Sequence, residues 1–354
     1  MKKLILILSF LTLNVSVWAQ KTAALWYLPT MNTYQAMGLA PYNLVVIDIE
    51  NLFNNSSMLD LMISENPKIK IFAYLNQTEI FDPMFSDKPW SIKLLAELKQ
   101  KPQWWLRQPD GKTMGAWTGM KALDMRFDCP EIDGQKYYQW IAAKYLEVLK
   151  DPRISGCLLD NSWGDDVAGI SWLATYNGNK GFDFNGDKKA DTDLGAINAS
   201  WTKGMKEYIR LIREAKGENF TIIANPGNLS YKEVDGKQFE NFPYIYHQLS
   251  PGHHWEANIM IARKFKIAII NPDLKDWFFG AATTMLLDNE AYLCVQQNEP
   301  YRDYYDLELG SPLSKAKEIE PGIWSRQFTR GNVFVNPKLK KAWIEYKDGR
   351  KREK

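Results

Sequence analysis

Gly156-Cys157-Leu158-Leu159-Asp160-Asn161-Ser162-Trp163 is an apolar run broken abruptly by a carboxylate, an amide and an indole. Four to eight apolar residues bounded by turn signals, here "DPRIS" upstream, read as a strand buried on both faces, as a parallel sheet requires. If a helix follows, the polar residues stand at the strand's carboxyl end. That rim is where α/β barrels place their chemistry. Asp160 then reads in two ways: as an acid, base or nucleophile, or as a cap accepting backbone N–H groups of the next turn.

Similar runs recur on both sides of it. Upstream lie Ala23 to Leu28, Leu44 to Ile49 with Asp48 and Glu50, and Ile69 to Leu75 with Tyr74 and then Asn76. Downstream lie Phe220 to Ala224 before Asn225, the weaker Val234 to Phe239 before Glu240, Lys266 to Ile270 before Asn271, and Ala291 to Val295. Helical patterns fit between them; Ser200 to Lys216 carries apolar residues at three- and four-residue spacing. Eight strand–helix alternations predict an α/β fold closed as a (β/α)8 TIM barrel. An open doubly wound sheet, the fallback, would usually offer a Gly-rich phosphate turn after its first strand, and the sequence has none there.

Two connections are too long for plain loops, so the barrel is expected to carry insertions after strands three and four. The first, Asn76 to Arg153, holds a helix around Ser91 to Lys101 and a tight turn at Asp110-Gly111. The second runs from Asp160 to about Ser200. Long loops on a barrel usually build the binding site. Past the eighth strand, Gly322 to Pro337 alternates and turns at Arg330-Gly331, which predicts a C-terminal β-hairpin. The boundaries expected are a signal peptide at 1–19, one barrel domain at 20–345 and a solvated basic tail at 346–354.

The signal peptide is read from Lys2-Lys3, the apolar run Leu4 to Leu13, and Val17-Trp18-Ala19 before Gln20. It predicts export to the periplasm or outside the cell. No Cys stands at the cleavage point, which argues against a lipid anchor. Taking 19 residues from 354 leaves 335, enough for one barrel of roughly 250 residues with long loops. Losing Lys2 and Lys3 takes the formal charge from +2 to zero, which leaves no electrostatic footprint for nucleic acid. No second apolar stretch is long enough to span a bilayer. Three cysteines make no disulfide framework.

The expected rim offers carboxylates and amides. The three histidines, His247, His253 and His254, fall in one loop, whereas a hydrolytic zinc site would draw ligands from several strand ends. Two carboxylates under aromatic walls suit glycoside hydrolysis, where one protonates the leaving oxygen and the other attacks or activates water. Asp160 and Glu240 end strands four and six alike, so both should rise at one rim; Glu240 reads otherwise as an exposed loop acid. Asp48 and Glu50, two apart on a strand and so expected on one face, compete as the pair and rank as substrate binders, with Tyr74, Asn76, Asn161, Asn225 and Asn271. Trp104, Trp105, Trp117, Trp163 and Trp172 lie in the insertions, where indole faces either stack on sugar rings or fill the insertion's own core. Trp163 and at least one of Trp104, Trp105 and Trp117 are expected to face the cleft, and Trp104, Trp105 and Trp163 count among the substrate binders. Asp183, Asn185, Asp187 and Asp191 stand at positions 1, 3, 5 and 9 of a loop and predict one structural Ca²⁺. Lys188 replaces the usual Gly of such a loop and Leu194 its final acid. A solvated acidic turn is the alternative. No organic cofactor is expected.

Ile154 to Asp165 ("ISGCLLDNSWGD"), Val234 to Phe242 ("VDGKQFENF") and Arg326 to Pro337 ("RQFTRGNVFVNP") resemble the glycoside hydrolases grouped as hypothetical glycosyl hydrolase family 15. So do "WWLRQPDGK" and "ALDMRFDCPE" in the first insertion. More distantly the chain is similar to endo-α-1,4-polygalactosaminidases. The resemblance implies a (β/α)8 barrel with an Asp after strand four and a Glu after strand six, roles that fall on Asp160 and Glu240. The expected activity is hydrolysis of a polysaccharide or oligosaccharide, with retention favoured over inversion. A non-catalytic carbohydrate-binding barrel is the alternative, and a partner-binding exported protein stands behind it.

Overall fold

The computed structural model describes residues 20–164, 169–243, 251–295, 297–302 and 307–354. The expected signal peptide and His247 lie outside the described residues. Eight parallel strands form one sheet in sequence order. They are β1 (Ala23–Trp26), β2 (Leu44–Asp48), β3 (Lys70–Leu75), β4 (Ile154–Leu159), β5 (Thr221–Ala224), β6 (Gly236–Phe242), β7 (Ile267–Pro272) and β8 (Glu290–Leu293). Parallel bridges Thr22–Leu293 and Leu25–Gln297 join the last strand to the first, giving the (β/α)8 barrel.

The two-residue period of a strand sorts its side chains. Leu25, Val46, Phe72, Leu158, Ile223, Ile269, Tyr292 and Cys294 form a buried cluster that fills the barrel. The alternate residues, among them Val45, Ile47, Ala73, Cys157 and Ile222, pack outward with the helices. A Cβ on Gly156 would sit 2.6 Å from the Thr221 carbonyl and 2.7 Å from the Phe72 ring, so only glycine fits where that ring crosses the interior. Carried two residues further, the inward positions become Tyr27, Asp48, Tyr74, Asp160, Asn225, Glu240 and Asn271. The packing alternation thus delivers polar groups to the carboxyl rim.

Both insertions roof that rim. In the first, Glu79–Phe81 pairs antiparallel with Met120–Ala122, and a helix spans Pro89–Lys99. The Asp110-Gly111 turn forms, with Gly111 at φ 82°. In the second, a helix spans Ser171–Tyr176. The helix read from Ser200 starts earlier, at Leu194, because Asp193 caps it by accepting the Ala196 N–H at 3.0 Å.

The expected C-terminal hairpin forms within a larger sheet of five antiparallel strands, β9 (Lys317–Glu320), β10 (Ile323–Gln327), β11 (Gly331–Asn336), β12 (Lys341–Tyr346) and β13 (Lys351–Glu353). Strands β10 and β11 are that hairpin. The charge run is therefore not wholly a solvated tail, since Lys351–Glu353 pairs with Trp343–Glu345 as an edge strand. Charged residues suit an edge, which is why the run looked unstructured. Val333, Val335, Ala342 and Ile344 share one apolar cluster with helix Trp277–Met285 and with Phe239 and Ile270 of the barrel.

Candidate active site

Asp160 and Glu240 meet at one nitrogen. The Asn225 side-chain amide donates to Asp160 Oδ1 at 2.9 Å and to Glu240 Oε2 at 3.1 Å. The two oxygens are therefore no more than about 6 Å apart, and the divergence of the two amide hydrogens puts them near 5 Å. Asp160 also accepts the backbone N–H of Asn161 at 2.9 Å and the hydroxyl of Tyr74. Its own N–H donates to the Leu75 carbonyl at 2.8 Å, extending the strand ladder to the rim.

The two acids differ in setting. Burial raises the pKa of Glu240 above the ordinary glutamate value; the Asn225 hydrogen bond opposes this and the charge of Asp160 adds to it. Tyr74 and Tyr27, whose rings lie 4.7 Å apart, are both pushed well up, first by burial and then by Asp160. They stay protonated, and Tyr74 remains a donor to Asp160. One partner of the pair thus favours its neutral form, while donors converge on the other.

Glu79 was not anticipated. It is 3 % exposed, and burial lifts its pKa to about 7, against the Ala116 N–H bond and with help from Asp160. Its oxygens accept the Ala116 N–H at 2.6 Å and the Asn161 amide at 2.9 Å. In sequence it lies in "NQTEIF", which carries no period that would point it inward; only the fold of the insertion shows where it goes.

The remaining predicted residues divide. Asp48 reaches the rim, held by Lys88 Nζ at 2.6 Å and the Glu50 N–H at 3.0 Å. With Tyr74, Asn76, Glu79 and Lys88 it lines a cavity of about 210 Å³ beside the pair. Asn271 is buried and donates to the Cys294 carbonyl at 2.8 Å. Glu50 is a correction: it is fully buried, and its carboxylate caps helix Pro89–Lys99 by accepting the Trp90 and Ser91 N–H groups at 3.0 and 2.8 Å. The strand ends at Asp48, so the shared face expected for the two acids does not exist. Trp104 is a second correction, fully buried in the insertion's core with Nε1 donating to the Pro130 carbonyl at 2.8 Å. Trp105 packs against the same core and donates to the Leu98 carbonyl at 3.0 Å. Trp163 stacks on Trp172 at 5.5 Å, both nearly buried, whereas Trp117 and Tyr176 are exposed and touch at 5.3 Å.

The acidic loop is tied by its own backbone. Asp183 accepts the Gly186 and Lys188 N–H groups, Asn185 that of Asp187, Asp187 that of Lys189, and Asp191 that of Phe184. Lys188 takes the left-handed φ of 65° that Gly would hold. Among the described residues no three His, Cys, Asp or Glu groups gather as metal ligands.

A bridged pair of carboxyls at the carboxyl rim of such a barrel is the equipment of a glycosidase. The chain belongs to hypothetical glycosyl hydrolase family 15, whose profile matches residues 64–332. None of the curated proteins matches the chain. The fold is similar to that of a cycloalternan-degrading enzyme from Trueperella pyogenes, with 12 % identity, TM-score 0.46, and 78 % of this chain covering 43 % of that one. It is similar to a Flavobacterium johnsoniae dextranase complexed with glucose, with 10 % identity, TM-score 0.48, and 80 % covering 37 %. It is also similar to a noncanonic maltogenic alpha-amylase from Thermotoga neapolitana, with 8 % identity, TM-score 0.48, and 94 % covering 93 %. The chain spans less than half the length of the first two of these proteins.

Proposed function

We propose that the protein is an exported, retaining glycoside hydrolase acting on a polysaccharide or oligosaccharide, with Asp160 as nucleophile and Glu240 as general acid/base. The observation that carries this reading is the single Asn225 amide bridging both carboxyls. The spacing it imposes lies near the roughly 5–5.5 Å of retaining enzymes and short of the 6.5–9.5 Å of inverting ones. Protonated Glu240 gives its proton to the glycosidic oxygen as that C–O bond breaks. Asp160 adds to the anomeric carbon and forms a glycosyl ester. Glu240, now ionised, takes a proton from water, which attacks the same carbon and releases Asp160. Tyr74 and the Asn161 N–H hold Asp160 in line and spread its charge. Trp117 and Tyr176, exposed on the two insertions, support a substrate long enough to reach them.

Purified protein is to be assayed for reducing-end release from a polysaccharide panel that includes α-linked amino-sugar polymers, beside Asp160→Asn. Release by the wild type alone, with the first product anomer retained by ¹H NMR, is expected. Inverted product would overturn retention. Sugar binding without release from any polymer would favour the non-catalytic barrel. We also propose one Ca²⁺ on the Asp183 loop, whose ligands would have to close around the ion.

A further inference from the structure

Two acids flank Asn161, the half-buried Asp160 and the buried Glu79, and the reaction above uses only the first. Asn161 has φ 49°, a conformation that asparagine tolerates when its side chain is held. Glu79 supplies the hold. Its Oε2 accepts the Asn161 amide at 2.9 Å, and its Oε1 is fixed by the Ala116 N–H at 2.6 Å. The same turn aims the Asn161 backbone N–H at Asp160 Oδ1, at 2.9 Å. Gln77, two residues before Glu79, grips the turn from the same segment by donating to the Asp160 carbonyl at 2.9 Å. The first insertion therefore reaches Asp160 by two routes, Gln77 to its carbonyl and Glu79 through the Asn161 amide.

We propose that Glu79 is a positioning residue for Asp160: by holding the Asn161 amide it fixes the N–H donated to the nucleophile, and it links the protonation of the two carboxyls. This rests on the role given to Asp160 above. Glu79 is shaped for the task when ionised, because both oxygens then accept. Its protonated form must give up one acceptor or force the Asn161 amide to turn over. With burial lifting its pKa to about 7, it changes state near neutral pH. The groups facing it are Asp160 across Asn161, and around the adjoining cavity Asp48 with Lys88, Tyr74, Tyr137 and Tyr145. Asp48 is compensated by Lys88 at 2.6 Å. Asp160 is thus the acid whose charge is felt.

The test uses the full chain labelled with ¹³C at glutamate carboxyls. A carboxyl titrating near 7 should vanish in Glu79→Gln, and its midpoint should fall in Asp160→Asn and shift in Asn161→Gly, which keeps the left-handed turn without the amide. On a substrate the wild type cleaves, Glu79→Gln should lower kcat about 10- to 100-fold with KM little changed. It should also move the acid limb of kcat/KM to lower pH, a change that loosening the fold would not give. A Glu79 titration unmoved by Asp160→Asn overturns the coupling. A Glu79→Gln enzyme with wild-type kcat and pH profile overturns the positioning role. The NMR arm needs no turnover, so failure of the glycosidase reading would show separately, as an intact coupling without hydrolysis.

Discussion

The barrel buries charge at both ends, and the two ends handle it in opposite ways. At the amino end Glu290 accepts Lys21 at 2.7 Å, Lys70 at 2.9 Å and the Tyr292 hydroxyl at 2.6 Å. Burial works against its ionised form, but those donors outweigh it and hold the pKa down to about 2. At the carboxyl end Asp160, Glu240 and Glu79 meet amides, a phenol and backbone N–H groups, while the nearby cation, Lys88, is taken by Asp48. Glu240 and Glu79 are both raised there. A compensated acid steadies the fold, whereas Glu240 and Glu79, met by amides and backbone N–H groups, lean towards their neutral forms. This matches the division of labour expected between the two faces of such a barrel.

The largest effect should come from the rim pair itself. Asp160→Asn and Glu240→Gln are each expected to lower kcat by 10²-fold or more. Glu240→Gln should not cost stability, because it removes a charge that burial disfavours, whereas Asp160→Asn gives up an acceptor of three donors and should cost some. Melting curves and steady-state rates on a confirmed substrate check both statements. A variant that kept activity but melted early would place that acid with Glu290, and the contrast would break.

The roof over the rim offers the next test. Trp104→Ala should cost about 3–5 kcal/mol in denaturant unfolding, as for any buried indole. Trp117→Ala should cost less than about 0.5 kcal/mol, as an exposed substitution does, yet weaken binding of long oligosaccharides. If Trp117→Ala leaves the KM for long substrates untouched, the exposed pair is no part of the substrate path.

The two ends should also differ in the sign of their pH dependence. Glu79 is raised from 4.5 to about 7, so its protonated form is favoured by folding; that stability is full below about 4.5 and lost as pH rises through 7. Glu79→Gln should therefore gain on the wild type by up to about 3 kcal/mol between pH 4.5 and 8. Glu290 is depressed, so its contribution is present above about 4.5 and lost as pH falls towards 2. Its lysines are more than a third exposed, which reduces the effect to about 1–2 kcal/mol, seen as a loss in Glu290→Gln at pH 7 that closes in acid. Parallel slopes for the two variants would abolish the distinction between the ends.

What could be read in advance follows from period. The barrel was legible because buried parallel strands are continuous apolar runs, and the inward places of Asp160, Asn225 and Glu240 follow from counting by two. Glu50 was misread by the same count, since counting by two holds only while the strand lasts and β2 stops at Asp48. Trp104 and Trp117 are alike as residues in loops; burial separates them, and burial is set by partners distant in sequence. Glu79 lay hidden for the same reason, being placed by pairing with Met120–Ala122 some 40 residues away.

The smallest predicted effect concerns the acidic loop, a third way of treating charge. Asp183 spends both side-chain oxygens, and Asn185, Asp187 and Asp191 one each, on loop N–H groups, so the turn is satisfied before any ion arrives. Each still has a lone pair to offer, and Ca²⁺ prefers oxygen ligands in flexible arrangements. An ion bound only by the folded chain stabilises it by mass action. Because the loop is already tied and Leu194 replaces the usual final acid, the gain should be a rise in Tm of only about 1–2 °C in excess Ca²⁺ over EDTA, equivalent to less than about 1 kcal/mol. Asp183→Ala should remove the rise and also lower the Tm in EDTA, since two N–H groups lose their acceptor. A wild-type melting curve identical in Ca²⁺ and EDTA, beside a destabilised Asp183→Ala, would show that these acids serve their own backbone and no ion.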